Sequence, residues 1–236
     1  MYVGHFAIGL AIKAWRPQVP AAPIIIGVGL LDILYGLFVV AGIDRIAANL
    51  QSGPYLFFDL TFIDWDHSLL MAAVVSLCWG AFFSKNKQVA MVAVLAVFSH
   101  FMADWLVHNN DLALYPHSAA HVGLGLWGML GTASWALEGA FSALLALWVW
   151  RANARRGVGS GWSCLLLAIL FFQLSPWFSP MLLVATLGEP AVHLAHGALI
   201  LVGFVLPALL FIWLIQRAEQ NAGRTRPMTQ ESEHCE

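Results

Sequence analysis

The stretch SHFMADWLVH, residues 99–108, closes an apolar run that begins at Val89 and has the composition of a membrane-spanning helix. It places two imidazoles and a carboxylate in or beside that span, on His100, Asp104 and His108. An ionisable group inside a bilayer costs several kcal/mol unless it is paired, hydrated or bound to a metal. His100 and Asp104 are four residues apart, so they share one helix face and can both reach a single divalent cation. The stretch therefore predicts a buried functional site within a membrane helix.

The composition predicts an integral membrane protein. Of the 236 residues, 60% are hydrophobic and 10% are charged. The formal net charge of −2 and the lack of a basic block give no electrostatic footprint for nucleic acid. Cys78, Cys164 and Cys235 are too far apart for a disulfide framework or a CxxC metal site. The N-terminus has no basic region before an apolar one, so we expect no cleaved signal peptide.

Apolar runs predict an all-α, polytopic membrane bundle of about six transmembrane helices plus a short N-terminal helix. The N-terminal run, residues 2–15, is too short to cross ~30 Å of hydrocarbon at ~1.5 Å per residue. The predicted spans are residues 22–42, 68–83, 89–107, 124–150, 162–187 with a proline kink, and 193–215. Residues 1–216 are thus expected to form one membrane-embedded domain. Residues 217–236 are charged and lack apolar periodicity, which predicts a disordered tail.

Basic residues lie in alternate connections between the predicted spans. Two of these connections contain a pair, Lys13/Arg16 and Lys85/Lys87. Two contain a triplet, Arg151/Arg155/Arg156 and Arg217/Arg224/Arg226. Residues 108–121 and 188–192 contain no basic residue. By the positive-inside rule, the basic connections and the C-terminus are expected to be cytoplasmic.

Counting residues from the nearest basic cluster brings polar groups of different spans to similar depths. At ~1.5 Å per residue, a layer about 18 to 24 Å above the cytoplasmic face contains Asp32, His100 and Glu138. His5 lies lower, at about 12 to 15 Å. A higher layer, at about 25 to 30 Å, contains Asp66, His67 and Asp104. The expected shape is a polar funnel that opens outward from the middle of the membrane.

The funnel predicts a site for a divalent metal, with zinc the first candidate, because imidazole and carboxylate are the ligands of zinc sites. The candidate ligands are His5, Asp32, His67, His100 and Asp104. Glu138 and Asp66 are the candidate catalytic residues, either holding the ligand imidazoles or acting as base. A bound divalent ion activates water and polarises a phosphoryl or acyl oxygen. We therefore expect hydrolysis of a phosphoester or related bond in a small-molecule or lipid-linked substrate.

Short motifs occur in a fixed order on apolar segments within residues 1–110. They are His5, Gly29-Leu30-Leu31-Asp32, His67-Ser68-Leu69-Leu70 and Ser99-His100-x-x-x-Asp104. Their combination resembles the LexA-regulated, inner-membrane family of metal-dependent hydrolases, which is distantly related to zinc-dependent phospholipase C and S1/P1-type nucleases. The resemblance implies a bacterial inner-membrane location, and the five candidate ligands match the ligand positions of that family.

The sequence departs from the family pattern at two places. The usual Pro-Asp-x-Asp is Leu31-Asp32-Ile33-Leu34 here, with one acid fewer. The histidine often found upstream of His-Ser has no counterpart in residues 62–66. Asp64 and Asp66 are the residues that could take the missing places.

Two other classes of protein fit the same polar layer. In a proton- or cation-coupled transporter, the layer would relay protons or bind a cation. In a scaffold protein, His100 with Asp104 and a protonated Glu138 would only fix helix packing. His108 is a candidate for the layer around the ligands. Loop or interfacial positions better explain four further histidines, His117, His121, His193 and His196.

Overall fold

The computed structural model of the protein describes residues 1–224, and residues 225–236 lie outside the described part. The structure is mostly helical, with 66% helix and 6% strand. The helices are α1 (Val3–Trp15), α2 (Ala21–Gly27), α3 (Leu30–Val40), α4 (Asp64–His67), α5 (Leu69–Ala81), α6 (Lys87–Val107), α7 (Leu126–Leu130), α8 (Thr132–Ala154), α9 (Gly161–Gln173), α10 (Met181–Val184) and α11 (Ala191–Arg224). The strands are β1 (Arg45–Ala48), β2 (Phe58–Phe62), β3 (Leu112–Ala113) and β4 (His121–Val122). The predicted helical class is confirmed.

Three helices, α6, α8 and α11, are long and apolar enough to cross a membrane. The pair α2 and α3 passes the same test only when taken together and is bent by 50° at its break. The other two predicted spans correspond to α5 and α9, which are apolar but only 13 residues long. Within residues 1–224 these helices indicate a membrane protein with three candidate spans, or four if the bent pair is one span. That all six predicted segments cross the membrane stays a prediction.

The predicted span at residues 22–42 is a broken helix. α2 ends at Gly27 and α3 begins at Leu30, with Val28 and Gly29 between them. A Cβ atom on Gly29 would lie 2.9 Å from the ring of Phe204, so α11 packs against the break too closely for a side chain there. The break places Asp32 in the first turn of α3, where the partial positive charge of a helix N-terminus favours a carboxylate.

The short N-terminal helix packs inside the bundle, as the sequence predicts for a helix that cannot span. α1 buries Val3, Phe6, Ala7 and Leu10 in the largest hydrophobic cluster, which also contains Phe204 and Phe211 of α11. The helices α8, α6 and α2 all contact α1, so its apolar residues are packed on several sides. His5 therefore lies in the interior of the bundle.

The last helix extends further than the sequence predicts. α11 continues to Arg224, so residues 217–224 are helical rather than disordered, and the rest of the predicted tail lies outside the described residues. Residues 217–222 contain good helix formers such as Ala, Gln and Glu. In addition, Glu219 accepts a salt bridge of 2.8 Å from the buried Lys13 of α1. The charged end of the helix is thus fixed to the bundle.

Two small antiparallel hairpins were not predicted. β1 pairs with β2, with Ile46 opposite Leu60 and Ala48 opposite Phe58, and β3 pairs with β4. The first hairpin belongs to a connection between α3 and α4 that brings Leu56, Leu60 and Ile63 over the candidate site. The connection is therefore part of the site rather than a linker.

Candidate metal centre

All five predicted metal ligands converge, although they come from four separate helices. α1 supplies His5, α3 supplies Asp32, α4 supplies His67, and α6 supplies His100 and Asp104. The three imidazoles and Asp104 are buried, whereas the Asp32 side chain keeps 16% of its surface exposed. His5, His100 and Asp104 form one group that can hold a metal ion, and Asp32, His67 and His100 form another.

Four of these residues surround a single gap, and we call Asp32, His67, His100 and Asp104 the four-ligand group. The Nε2 atoms of His67 and His100 are 3.3 Å apart. Asp32 has one oxygen 3.6 Å from His67 Nε2 and the other 3.5 Å from His100 Nε2. Asp104 Oδ2 lies 2.9 Å from His100 Nε2 and 3.7 Å from His67 Nε2. Ligand atoms bound tetrahedrally at about 2.0–2.1 Å are about 3.3 Å apart. The spacing within Asp32, His67 and His100 therefore fits one metal ion, and Asp104 borders the same gap beside the two imidazoles.

The orientation of His100 is that of a metal ligand. Its Nδ1 atom lies 2.7 Å from the carbonyl oxygen of Val28, and because a carbonyl only accepts, Nδ1 carries a proton and donates it. In the neutral ring Nε2 then bears a lone pair, which faces carboxylate oxygens of Asp104 and Asp32. Acceptors that face acceptors at this distance repel unless a proton or a metal ion lies between them.

His5 extends the group on its other side. Its ring stacks on the ring of His100, with centroids 3.7 Å apart and planes 6° from parallel. His5 Nε2 lies 3.1 Å from Asp104 Oδ1, the oxygen that does not face His100. Within residues 1–224 neither ring nitrogen of His5 has a hydrogen-bond partner of good geometry. Asp104 thus faces the four-ligand group with Oδ2, while its Oδ1 is shared between His5 and the buried Met1 ammonium, with which it forms an ion pair.

Asp66 and His108 flank the ligands. Asp66 Oδ2 lies 3.2 Å from the Nδ1 atom of His67, on the side of the ring away from the gap. Burial and the negative charge of Asp32 raise the pKa of Asp66 well above 3.8. His108 has its Nε2 atom 3.8 Å from Asp104 Oδ2 and its Nδ1 atom 3.1 Å from Asp111. Carboxylates behind ligand imidazoles are typical of metal sites, where they fix the tautomer of the ring.

Glu138 lies at the N-terminus of α1. Its Oε1 atom accepts hydrogen bonds from the backbone N–H groups of Tyr2 (2.7 Å) and Gly4 (3.1 Å). Its Oε2 atom accepts one of 2.6 Å from the Tyr55 hydroxyl. The carboxylate thus binds N–H groups that have no partner within the helix and anchors the helix that carries His5. That Glu138 also acts as a catalytic base stays a prediction.

A small cavity of about 50 Å³, continuous with open space, adjoins the four-ligand group. Its polar wall contains Asp32, His67, Asp104 and His108 together with the rings of Tyr2, Tyr35 and Tyr55. Its apolar wall contains Leu56, Leu60, Ile63, Trp127, Leu174, Ile200 and Phe204. The arrangement offers a place for a molecule with one polar and one apolar part, directly beside the ligands.

Several residues near the site differ from their sequence-based interpretation. Asp64 accepts a hydrogen bond of 2.7 Å from the backbone of His117, so it holds an outer loop and does not lie at the four-ligand group. His196 is fully buried rather than interfacial, and it pairs with Tyr35. Two sequence signals could have revealed that pair: Tyr35 follows Asp32 by three residues, and His196 precedes a glycine in an apolar helix.

Comparison with protein-family models, with curated proteins and with solved structures gives no match for the chain. The resemblance of its short motifs to the inner-membrane hydrolase family therefore stays a prediction. What is established is a buried His/Asp group that can hold a metal ion, set beside a cavity in a helical membrane protein.

Proposed function

We propose that the protein is a membrane-embedded, metal-dependent hydrolase whose metal is held by Asp32, His67, His100 and Asp104. The observation that carries the proposal is that Asp32, His67 and His100, from three helices, enclose a gap of metal-site dimensions, which Asp104 borders. Asp66 behind His67 and the Val28 carbonyl behind His100 support it, because each fixes the orientation of a ligand ring. Zinc is the ion that best fits this set of imidazole and carboxylate ligands.

The reaction is hydrolysis of a phosphoester or related bond. A divalent ion in the four-ligand group supplies an activated water and polarises the oxygen of the bond that is cleaved. The chain itself contributes the orientation of the ligands and the exclusion of bulk water by the connection that contains the first hairpin. A cavity with an apolar wall supports a lipid-linked substrate. In this proposal the bundle has six spans, and the site opens to the extracytoplasmic side of a bacterial inner membrane.

The proposal is tested by elemental analysis and by hydrolysis of bis(p-nitrophenyl) phosphate. Detergent-purified wild type is compared with His100→Ala and with His121→Ala, a matched control because His121 is an exposed residue of β4. We expect zinc or manganese in a stoichiometric amount in wild type and His121→Ala, and loss of both metal and hydrolysis in His100→Ala. Size-exclusion chromatography and thermal unfolding check that each variant is folded.

Equal metal content in folded His100→Ala and wild type would overturn the ligand assignment. Metal binding without hydrolysis of phosphodiesters, phosphomonoesters or carboxylic esters would overturn the assignment of a hydrolase. Cation flux in sealed liposomes that Asp32→Asn abolishes, in the absence of hydrolysis, would identify a carrier instead.

A further inference from the structure

A second buried polar pair lies outside the metal ligands. The Tyr35 hydroxyl of α3 is 2.8 Å from the Nε2 atom of His196 on α11. Tyr35 is 3% exposed and His196 is 0% exposed. Burial of two such groups is unfavourable unless they are hydrogen-bonded, so the pair needs an explanation. Neither residue has a role in the hydrolysis proposed above.

The backbone of the two helices fixes this pair. Gly36 follows Tyr35, and Gly197 follows His196. A Cβ atom on Gly197 would lie 2.6 Å from the carbonyl oxygen of Gly36, and one on Gly36 would lie 2.9 Å from the carbonyl oxygen of Gly197. The two helices thus touch through glycine backbones, as small residues allow in membrane bundles. This contact holds the phenol and the imidazole at hydrogen-bonding distance.

The surroundings of His196 indicate which atom donates. Its Nδ1 atom is buried and has no hydrogen-bond partner within residues 1–224. A buried N–H without an acceptor is rarer in proteins than an acceptor without a donor. The neutral ring is therefore expected to carry its proton on Nε2 and to donate it to the Tyr35 oxygen. The proton of the Tyr35 hydroxyl is then free to be donated to another group.

Tyr35 differs in this respect from the other two tyrosines of the cavity. The Tyr2 hydroxyl donates to the carbonyl oxygen of Gly203, and the Tyr55 hydroxyl donates to Glu138. Among residues 1–224, the Tyr35 hydroxyl has His196 as its only hydrogen-bond partner. Tyr35 lines the cavity beside Asp32 and packs edge-on against His67, with ring centroids 5.9 Å apart. Its free proton therefore belongs to a group that enters the cavity next to the metal ligands.

We propose that Tyr35 donates a hydrogen bond to a phosphoryl or acyl oxygen of the substrate, and that His196 positions the Tyr35 hydroxyl for it. This role rests on the proposed function. No lysine or arginine side chain of the described residues lines the cavity, its polar wall contains two aspartates, and the ammonium of Met1, which also lines it, is already ion-paired with Asp104. An anionic oxygen therefore needs a donor besides the metal ion, and the Tyr35 hydroxyl can supply it. Tyr35 is a catalytic residue in this scheme and His196 a positioning residue.

The test measures binding of inorganic phosphate to the zinc-loaded protein by calorimetry. Tyr35→Phe should keep the metal content of wild type and bind phosphate about tenfold or more weakly, because a hydrogen bond to a charged group is lost. Tyr2→Phe is the matched control: the same change in the same cavity should leave phosphate affinity unchanged. His196→Leu should weaken binding, and His196→Gln, whose amide can donate to Tyr35, should restore most of it.

The outcomes separate this inference from the proposed function. Unchanged phosphate affinity in Tyr35→Phe, with metal bound, would overturn the role of Tyr35 alone. Loss of metal in folded Tyr35→Phe would also overturn it, because the residue would then belong to the metal site. A second readout, nitrogen-15 NMR of labelled histidine, should find the His196 proton on Nε2. A proton on Nδ1 would contradict the inference even if hydrolysis is confirmed, whereas a wild type without metal would overturn the proposed function.

Discussion

The Nδ1 atom of His100 lies 2.7 Å from the carbonyl oxygen of Val28, the residue at which α2 gives way to α3. A continuous helix would use that carbonyl in its own hydrogen-bond ladder. The break makes it available to orient His100, and the new helix that follows brings Asp32 to the same gap in its first turn. One interruption of an apolar helix therefore positions two candidate ligands. Irregular backbone at such depth is tolerated where protein surrounds it, as α6 and α11 do here.

The carboxylate behind His67 should tune metal affinity without being essential for it. Asp66→Asn replaces the carboxyl group 3.2 Å from His67 Nδ1 by an amide but leaves all four candidate ligands in place. Loss of such a partner lowers metal affinity about 10- to 100-fold. Competition with a chelator measures the change, and Asp59→Asn, at an exposed position of β2, is the control. Equal zinc affinities of Asp66→Asn and wild type would show that Asp66 does not orient the ligand.

Glu138 should contribute to stability through the N-terminus of α1. Glu138→Ala leaves the Gly4 N–H and the Tyr55 hydroxyl without their acceptor, and leaves the Tyr2 N–H only its longer bond of 3.2 Å to the Tyr55 hydroxyl oxygen. Unsatisfied buried donors of this kind cost about 1–3 kcal/mol each, and the costs are not additive, so we expect a clear decrease in the thermal midpoint. Glu138→Gln keeps one acceptor oxygen and should be intermediate.

The exposed Glu189 provides the control for Glu138, since Glu189→Ala should leave the midpoint unchanged. A Glu138→Ala variant as stable as wild type would contradict the anchoring role. If that variant nevertheless lost hydrolysis, the result would favour the catalytic base predicted from the sequence.

The contact between α3 and α11 should not tolerate a methyl group. In Gly197→Ala the new Cβ atom would meet the Gly36 carbonyl oxygen at 2.6 Å, and backbone cannot move aside as a flexible side chain can. The helices must separate, so we expect lower thermal stability and weaker phosphate binding through the displaced Tyr35. Gly223→Ala, on the same helix with no atom within 4 Å of the new Cβ, is the control and should be neutral or slightly stabilising. A Gly197→Ala variant with unchanged properties would show that the contact is looser than described.

The sequence predicted the elements of the site whose signals are local. His100 and Asp104 share a helix face by their spacing alone, and an acid such as Asp32 is conspicuous in an apolar segment because it is costly there. Counting residues along each span then placed Asp32 and His100 in one layer, with His5 below it and His67 and Asp104 above it. Such counting gives no rotation of one helix about another, so it could not distinguish Glu138, which contacts α1, from the residues at the gap.

The remaining features depend on contacts between distant parts of the chain. His196 lies near the start of a predicted span, which favours an interfacial position, whereas the close approach of Gly36 to Gly197 buries it against Tyr35. The hairpin of β1 and β2 has strands of four and five residues in a stretch of mixed composition, too short for a clear alternation of apolar and polar residues. The broken helix at Val28 was hidden because its apolar composition is continuous across the break.

Asp44 lies in the turn between α3 and β1. Its ionisation should make the free energy of unfolding depend on pH. Burial and the charge of Asp66 raise the pKa of Asp44 to about 8 from an ordinary value of 3.8. Between those pH values the folded state holds a proton that the unfolded state has released, so stability should fall as pH rises from about 4 to about 8 and then level off. Asp44→Asn removes the ionisation and should flatten this slope, leaving the part due to Asp66, whose pKa is also raised. Thermal unfolding in detergent between pH 5 and pH 8.5, at constant zinc, measures it, with Asp59→Asn as the exposed control. Equal slopes for Asp44→Asn and wild type would mean that Asp44 is already ionised in the folded protein at the acidic end of the range.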